Sequence, residues 1–160
     1  MNKSVNSASN VLVVDDNPGD TDLIAEALRQ NRRPIQVHTV GDGVEAMAFL
    51  HREGQYASVS PPHLIVLDLT IPRKDGHAVL AEVKSDPRLR QIPIVVFSTS
   101  AVRDDITSSY RQGANSYVIK PGDLHTFLSV VTAIGDFWLD ITHAPTALGI
   151  GVGTKLRMHG

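Results

Sequence analysis

A doubly wound α/β domain is the fold class that the sequence predicts, and three observations predict it. Short apolar runs and helical segments alternate five times along the 160 residues. The strand runs are continuous in apolar character, so both faces of a sheet are covered. The stretches between them are long enough for crossover helices, which makes the strands parallel. At roughly 150 residues per domain the chain holds one domain. A chain of this size buries about 68–70% of its unfolded surface, enough for a self-sufficient core.

Each element has its own warrant. Residues 1–9 are polar and are expected to form a disordered leader. Val11-Leu12-Val13-Val14 is the first strand, a β-branched run bounded by polar residues. Asn17 can cap the following helix and Pro18 suits its first position. Leu23, Ile24, Ala27 and Leu28 then recur at helical spacing. Residues 35–40 form the second strand. Gly41-Asp42-Gly43 turns the chain into a helix carrying Val44, Met47, Ala48 and Leu50. Residues 51–62 are polar, end in Pro61-Pro62, and read as a loop. Leu64-Ile65-Val66-Leu67 is the third strand, ending at Asp68, and a helix over residues 76–85 follows. Ile94-Val95-Val96-Phe97 is the fourth strand, ending at Ser98. A short polar helix over 104–111, a fifth strand over 116–119 and a final helix over 123–142 complete the pattern. The domain is thus expected over residues 10–143, with a flexible tail over 144–160 that carries four glycines and no periodicity.

Composition narrows the function. Fifteen basic against seventeen acidic residues give a net charge of −2, which excludes a nucleic-acid binder working through bulk charge. Lys155 and Arg157 are too few to form a basic patch. With no cysteine there is no disulfide, thiolate metal site or cysteine nucleophile. No apolar run approaches the ~18 residues of a membrane span, and the start lacks the apolar region of a signal peptide, so a cytoplasmic setting is expected. Thirteen of the seventeen acids are Asp, which favours caps and turns over helix interiors, so the charge should gather at loop ends. The seven histidines are scattered without ligand spacing. Gly41-Asp42-Gly43 lacks the spacing of a phosphate-binding loop.

Ligands of an open parallel sheet bind outside the carboxyl ends of its strands. Asp15-Asp16, Asp68, Ser98 and Lys120 end the first, third, fourth and fifth strands. Converging carboxylates repel one another unless a cation offsets them. Lys120 supplies one positive charge. Hard oxygen donors without cysteine point to Mg²⁺ for the rest. An Asp flanked by Mg²⁺ and a lysine can act as a nucleophile toward a phosphoryl donor.

With those residues in view, the chain resembles the receiver domain of a two-component response regulator. The matching pieces are Val13-Val14-Asp15-Asp16-Asn17, Leu67-Asp68-Leu69-Thr70-Ile71-Pro72 with Asp75-Gly76, Val96-Phe97-Ser98-Thr99-Ser100, and Tyr117-Val118-Ile119-Lys120-Pro121. They cover about residues 10–142. Thr99-Ser100, Asp104-Asp105-Ile106, Tyr110, Asn115-Ser116-Tyr117, Asp136-Phe137-Trp138-Leu139 and the 51–62 loop are similar to single-domain regulators encoded beside phytochromes.

The resemblance implies a flavodoxin-like strand order of 2-1-3-4-5 with five helices. It implies that Asp68 is the phosphoacceptor and that a histidine kinase, of which a phytochrome is one candidate, is the donor. Asp16 and Asp68 would ligate Mg²⁺ directly, Asp15 through water, and Thr70 through its backbone carbonyl. Lys120 would pair with the phosphoryl oxygens, and Lys120–Pro121 would be a cis peptide. Ser98 takes the switch-hydroxyl position and Tyr117 the switch-aromatic position, with core packing as the alternative for Tyr117. Such a protein is not an enzyme beyond its own phosphorylation and dephosphorylation. Its output passes to an unknown downstream protein, because nothing after residue 142 forms a DNA-binding domain. Thr70 and Ser100, two residues beyond Asp68 and Ser98, carry short hydroxyls that orient water poorly, so the phosphorylated state should be long-lived.

The final helix carries a core stripe of Leu124, Phe127, Leu128, Val131, Ile134, Trp138 and Ile141, which Val130 and Phe137 widen. A helix packed on one side needs one apolar face, so the extra width means either deeper burial or an interface, and a homodimer contact is the expectation. Two other readings compete. An Asp-nucleophile phosphatase needs a second Asp two residues after the nucleophile, where this chain has Thr70. A flavin-binding module needs a hydroxyl-rich loop after the first strand, where this chain has acids that would repel the flavin phosphate.

Overall fold

The computed structural model describes residues 8–141. Five strands, β1 (Ser9–Val14), β2 (Ile35–Val40), β3 (Leu64–Leu67), β4 (Ile94–Ser98) and β5 (Ser116–Ile119), pair in the order β2-β1-β3-β4-β5. Every pair is parallel. The crossovers are α1 (Pro18–Leu28), α2 (Gly43–Leu50), α3 (Gly76–Ser85) and α4 (Arg103–Arg111), and α5 (Leu124–Gly135) follows β5. The doubly wound fold expected from the sequence is therefore present.

The aspartates explain where helices begin. Asp42, Asp75 and Asp123 each accept a backbone N–H from the third residue beyond, at 2.7–2.9 Å, capping α2, α3 and α5. Asn17 does the same for α1 at 3.1 Å. α4 has no side-chain cap and buries only Ser109.

Strand alternation divides the core into two layers. Leu12, Val14, Ile65, Leu67, Ile94 and Val96 face Met47 and Leu50 of α2 and Val79, Leu80 and Val83 of α3. Val11, Val13, Leu64, Val66, Val95 and Phe97 face Ile24 and Leu28 of α1 and Phe127, Val131 and Ile134 of α5. Continuous burial holds for β3, β4 and, from Asn10 onward, β1. The edge strands differ: Gln36 and Thr39 of β2 are exposed, and so is Ile119 of β5.

Several local features depart from the sequence reading. The 51–62 loop contains a single 3₁₀ turn, Gly54–Tyr56, where the Tyr56 ring stacks at a tilt on Phe49 and its hydroxyl bonds Glu45. Within the described residues the final helix is not one continuous α-helix. Asp123 is its cap, α5 ends at Gly135, and a π-helical segment runs over Asp136–Ile141. Asn31 Nδ2 bonds Asp136 Oδ1 at 3.0 Å and Asp140 Oδ2 at 2.9 Å, holding that wider turn against the end of α1. A Cβ at Gly135 would lie 3.0 Å from Leu28 Cδ2, so glycine lets the two helices approach there. Leu124 falls outside the core stripe and is largely exposed, whereas Val130 packs against the core. Lys120–Pro121 is trans, with no cis peptide among the described residues; trans is the lower-energy isomer of an X–Pro bond by roughly 0.5–1 kcal/mol. The expected tail lies outside the described residues, as does the leader up to residue 7. None of the described helices is long and apolar enough to cross a membrane.

Candidate functional site

The carboxyl edge of the sheet positions the site through backbone register. Val14 of β1 aligns with Leu67 of β3, so Asp15 and Asp68 leave the sheet side by side. The Asp68 N–H donates to the Val14 carbonyl at 2.9 Å, and the Asp15 N–H to the Val40 carbonyl at 3.0 Å. Ser98 aligns with Ile119, and the Lys120 N–H donates to the Ser98 carbonyl at 2.8 Å. Gly76 matters here. Its N–H donates to the Leu69 carbonyl at 2.9 Å, and a Cβ would sit 2.5 Å from the Asp68 carbonyl oxygen. Only glycine allows α3 to begin that close beneath the Asp68 loop.

Lys120 Nζ lies at the centre. It donates to Asp15 Oδ2 at 2.8 Å, Asp20 Oδ2 at 2.7 Å and Asp68 Oδ2 at 2.9 Å. The Lys120 side chain is only 5% exposed, and that of Asp15 2%. Burial alone would depress the ammonium pKa. The three carboxylate bonds more than reverse this and hold it above the ordinary lysine value, so Lys120 stays charged. Burial pushes the Asp15 carboxyl up, further than Lys120 and the Asn17 N–H pull it down. The Phe97 ring closes one side, 6.0 Å from Nζ.

The switch candidates lie next to this cluster. Ser98 is fully buried and its Oγ accepts the Ser100 N–H at 3.3 Å. Tyr117 Oη donates to the Ser100 carbonyl at 2.8 Å, and the Tyr117 N–H donates to Tyr110 Oη at 3.0 Å. Tyr117 is half-buried against the α2–α3 core layer. Thr70 reaches Asp68 through its backbone N–H, 3.1 Å from Oδ1.

The structure thus brings Asp15, Asp68, Lys120 and the Thr70 backbone together, with Ser98 at the end of β4 and Tyr117 in β5 both bonded to Ser100 on the loop after β4. Asp16 is exposed and outside the lysine cluster. Sequence reasoning missed Asp20, which reaches the cluster from the first turn of α1. Its signal was an Asp three residues after the Asn17 cap. It also missed Asp105, which accepts the Ser100 hydroxyl, and His77, which meets the other oxygen of Asp105.

Among the described residues, no three His, Cys, Asp or Glu side chains are arranged around a metal position. The ammonium of Lys120 takes up the space where the buried acids meet. The donor chemistry nevertheless fits a hard divalent cation: every candidate donor is an oxygen, and Asp15, Asp16, Asp20 and Asp68 outnumber the single ammonium.

The site is thus a lysine held among acids at the carboxyl edge of a 2-1-3-4-5 sheet. The chain belongs to the response regulator receiver domain family, whose model matches residues 11–132. Response regulator Rcp1 of Synechocystis is 38% identical over 92% of this chain and all of that protein. The crystal structure of the phosphorylated cyanobacterial phytochrome response regulator RcpA is 47% identical, with a TM-score of 0.85 over 88% of this chain and all of that one. The Mn²⁺-bound form of Rcp1 superposes with a TM-score of 0.83 at 38% identity, over 86% of this chain and 99% of that one.

Proposed function

We propose that this receiver domain accepts a phosphoryl group on Asp68 from the phosphohistidine of a phytochrome-type histidine kinase in the cytoplasm. The observation that carries the reading is Lys120 Nζ within 2.9 Å of both Asp15 and Asp68 in a buried pocket. The likeness to the cyanobacterial phytochrome response regulator RcpA supports the choice of kinase class.

In this reading an Asp68 carboxylate oxygen attacks phosphorus. The phosphorus–nitrogen bond breaks, and its electron pair returns to the imidazole of the donor. Lys120 donates an N–H to a phosphoryl oxygen and offsets charge that builds there. The Thr70 N–H holds Asp68 Oδ1 and so orients the carboxylate. Asp15, Asp16 and Asp68, with the Thr70 carbonyl, would hold Mg²⁺, which supplies further positive charge beside the phosphoryl oxygens. The new acyl phosphate carries about −1.5 to −2 charge and strong acceptors. Ser98 then donates its hydroxyl to them, and the loop that Tyr117 grips through Ser100 moves with it. The changed surface acts on a second copy of the chain and on a downstream protein.

Incubation with acetyl phosphate and Mg²⁺, read by mass spectrometry, tests the assignment. One phosphoryl addition is expected, and none in Asp68→Asn. Equal labelling of the variant would place the phosphoacceptor elsewhere.

A further inference from the structure

We propose that Asp20 is a positioning residue for phosphoryl transfer, anchoring Lys120 while Asp15 and Asp68 engage the cation and the phosphoryl group. The proposal rests on the phosphoacceptor reading of Asp68. An ammonium has three N–H donors, and in this structure all three are used. The shortest of its three bonds, 2.7 Å, goes to Asp20.

The three acids are not equivalent. Asp15 and Asp68 leave the ends of adjacent strands and belong to the oxygen set that suits a divalent cation. Asp20 comes from α1, one turn past the Asn17 cap, which accepts the Asp20 backbone N–H at 3.1 Å. Its side chain is 24% exposed, against 2% for Asp15 and 10% for Asp68, so its charge remains partly hydrated. A divalent cation and Lys120 drawing on the same two carboxylates would repel each other. Asp20 is the acid that stays committed to Lys120 in that competition. It keeps the ammonium beside Asp68 when the charge of the other two is shared. An acid in the first turn also favours a helix through its dipole, but that effect is independent of Lys120.

The test compares wild type with Asp20→Asn and Asp20→Ala. At saturating Mg²⁺, the limiting rate of Asp68 phosphorylation by acetyl phosphate should fall about tenfold in both variants, the scale of one charge-assisted hydrogen bond. The half-saturating acetyl phosphate concentration should stay within about twofold, because Asp20 does not touch the donor. A second readout follows Lys120 itself. In wild type, a slowly exchanging Lys120 ammonium signal in nitrogen-15 spectra should persist after Mg²⁺ and beryllofluoride are added. In Asp20→Asn it should broaden away. A rate within about twofold of wild type, or an ammonium signal equally persistent in the variant, would overturn the proposal. Wild type that takes up no phosphoryl group on Asp68 would overturn the phosphoacceptor reading, and this proposal with it.

Discussion

Ser100 Oγ donates a 2.6 Å hydrogen bond to Asp105 Oδ2, tying the loop after β4 to the first turn of α4. His77 Nε2 on α3 approaches Asp105 Oδ1 at 3.3 Å, and His77 Nδ1 lies 2.9 Å from Gln112 Oε1 near the end of α4. The loop after β4 is therefore fixed through two groups of one residue: Tyr117 holds the Ser100 carbonyl and Asp105 holds its hydroxyl. Movement of the Ser98 hydroxyl toward a phosphoryl group would instead give up the Ser100 N–H bond that Ser98 Oγ accepts at 3.3 Å.

The Ser100–Asp105 contact gives a pH prediction. The Ser100 hydroxyl first, and His77 second, lower the Asp105 pKa from its ordinary value of 3.8. An acid whose folded pKa is depressed adds stability that is fully present above the unfolded value. This stability is lost as pH falls through the lower folded value. A carbon-13 titration of the Asp105 carboxyl should have its midpoint below 3.8 in wild type. In Ser100→Ala the midpoint should move up. An identical midpoint in both would mean that the serine contact does not form in solution.

The parts of the site legible in the sequence are those that end strands. Asp15, Asp68, Ser98 and Lys120 each follow an apolar run, and parallel register alone gathers them at one edge. Asp20 was hidden because it sits inside a helix, where strand-end logic does not apply. The Asn31 bonds to Asp136 and Asp140 span more than a hundred residues. No local periodicity encodes them, so the π-helical segment read as a simple continuation of α5. Asp16 shows the converse: adjacent acids in sequence need not share a pocket, and here only Asp15 is buried.

The exposure of Asp16 separates its two possible effects. Asp16→Asn should leave metal-free stability within about 0.5 kcal/mol of wild type, because no bond to Lys120 is lost. Mg²⁺ affinity, measured by calorimetric titration, should still fall strongly, because one of the few acidic ligands is gone. Unchanged affinity would remove Asp16 from the metal set.

Phe137 is 47% exposed on the π-helical segment, its ring edge-on to Trp138 at 5.2 Å. The homodimer expected from the width of the C-terminal apolar face would bury this ring. Phe137→Glu should sediment as a monomer in analytical ultracentrifugation while Asp68 remains phosphorylatable. Wild type that is monomeric with and without beryllofluoride would count against the homodimer.

The lifetime of the phosphorylated state should depend on position 70 more than on position 100. Hydrolysis needs a water in line with the Asp68–phosphorus bond, held by a side chain that reaches it. Ser100 is not available for that task, since its hydroxyl is committed to Asp105 and its N–H to Ser98 Oγ. A longer acid there would also set a second carboxylate against Asp105. Thr70 is different. It is exposed, and its only bond to Asp68 is through the backbone, which a new side chain leaves intact. Thr70→Asn adds an amide with longer reach and should speed dephosphorylation by up to about tenfold, the scale of one water-positioning contact. Ser100→Glu should change it less. The measurement is phosphoryl loss over time in Mg²⁺ without kinase. A slower or unchanged rate in Thr70→Asn would show that a group other than the side chain at position 70 orients the attacking water.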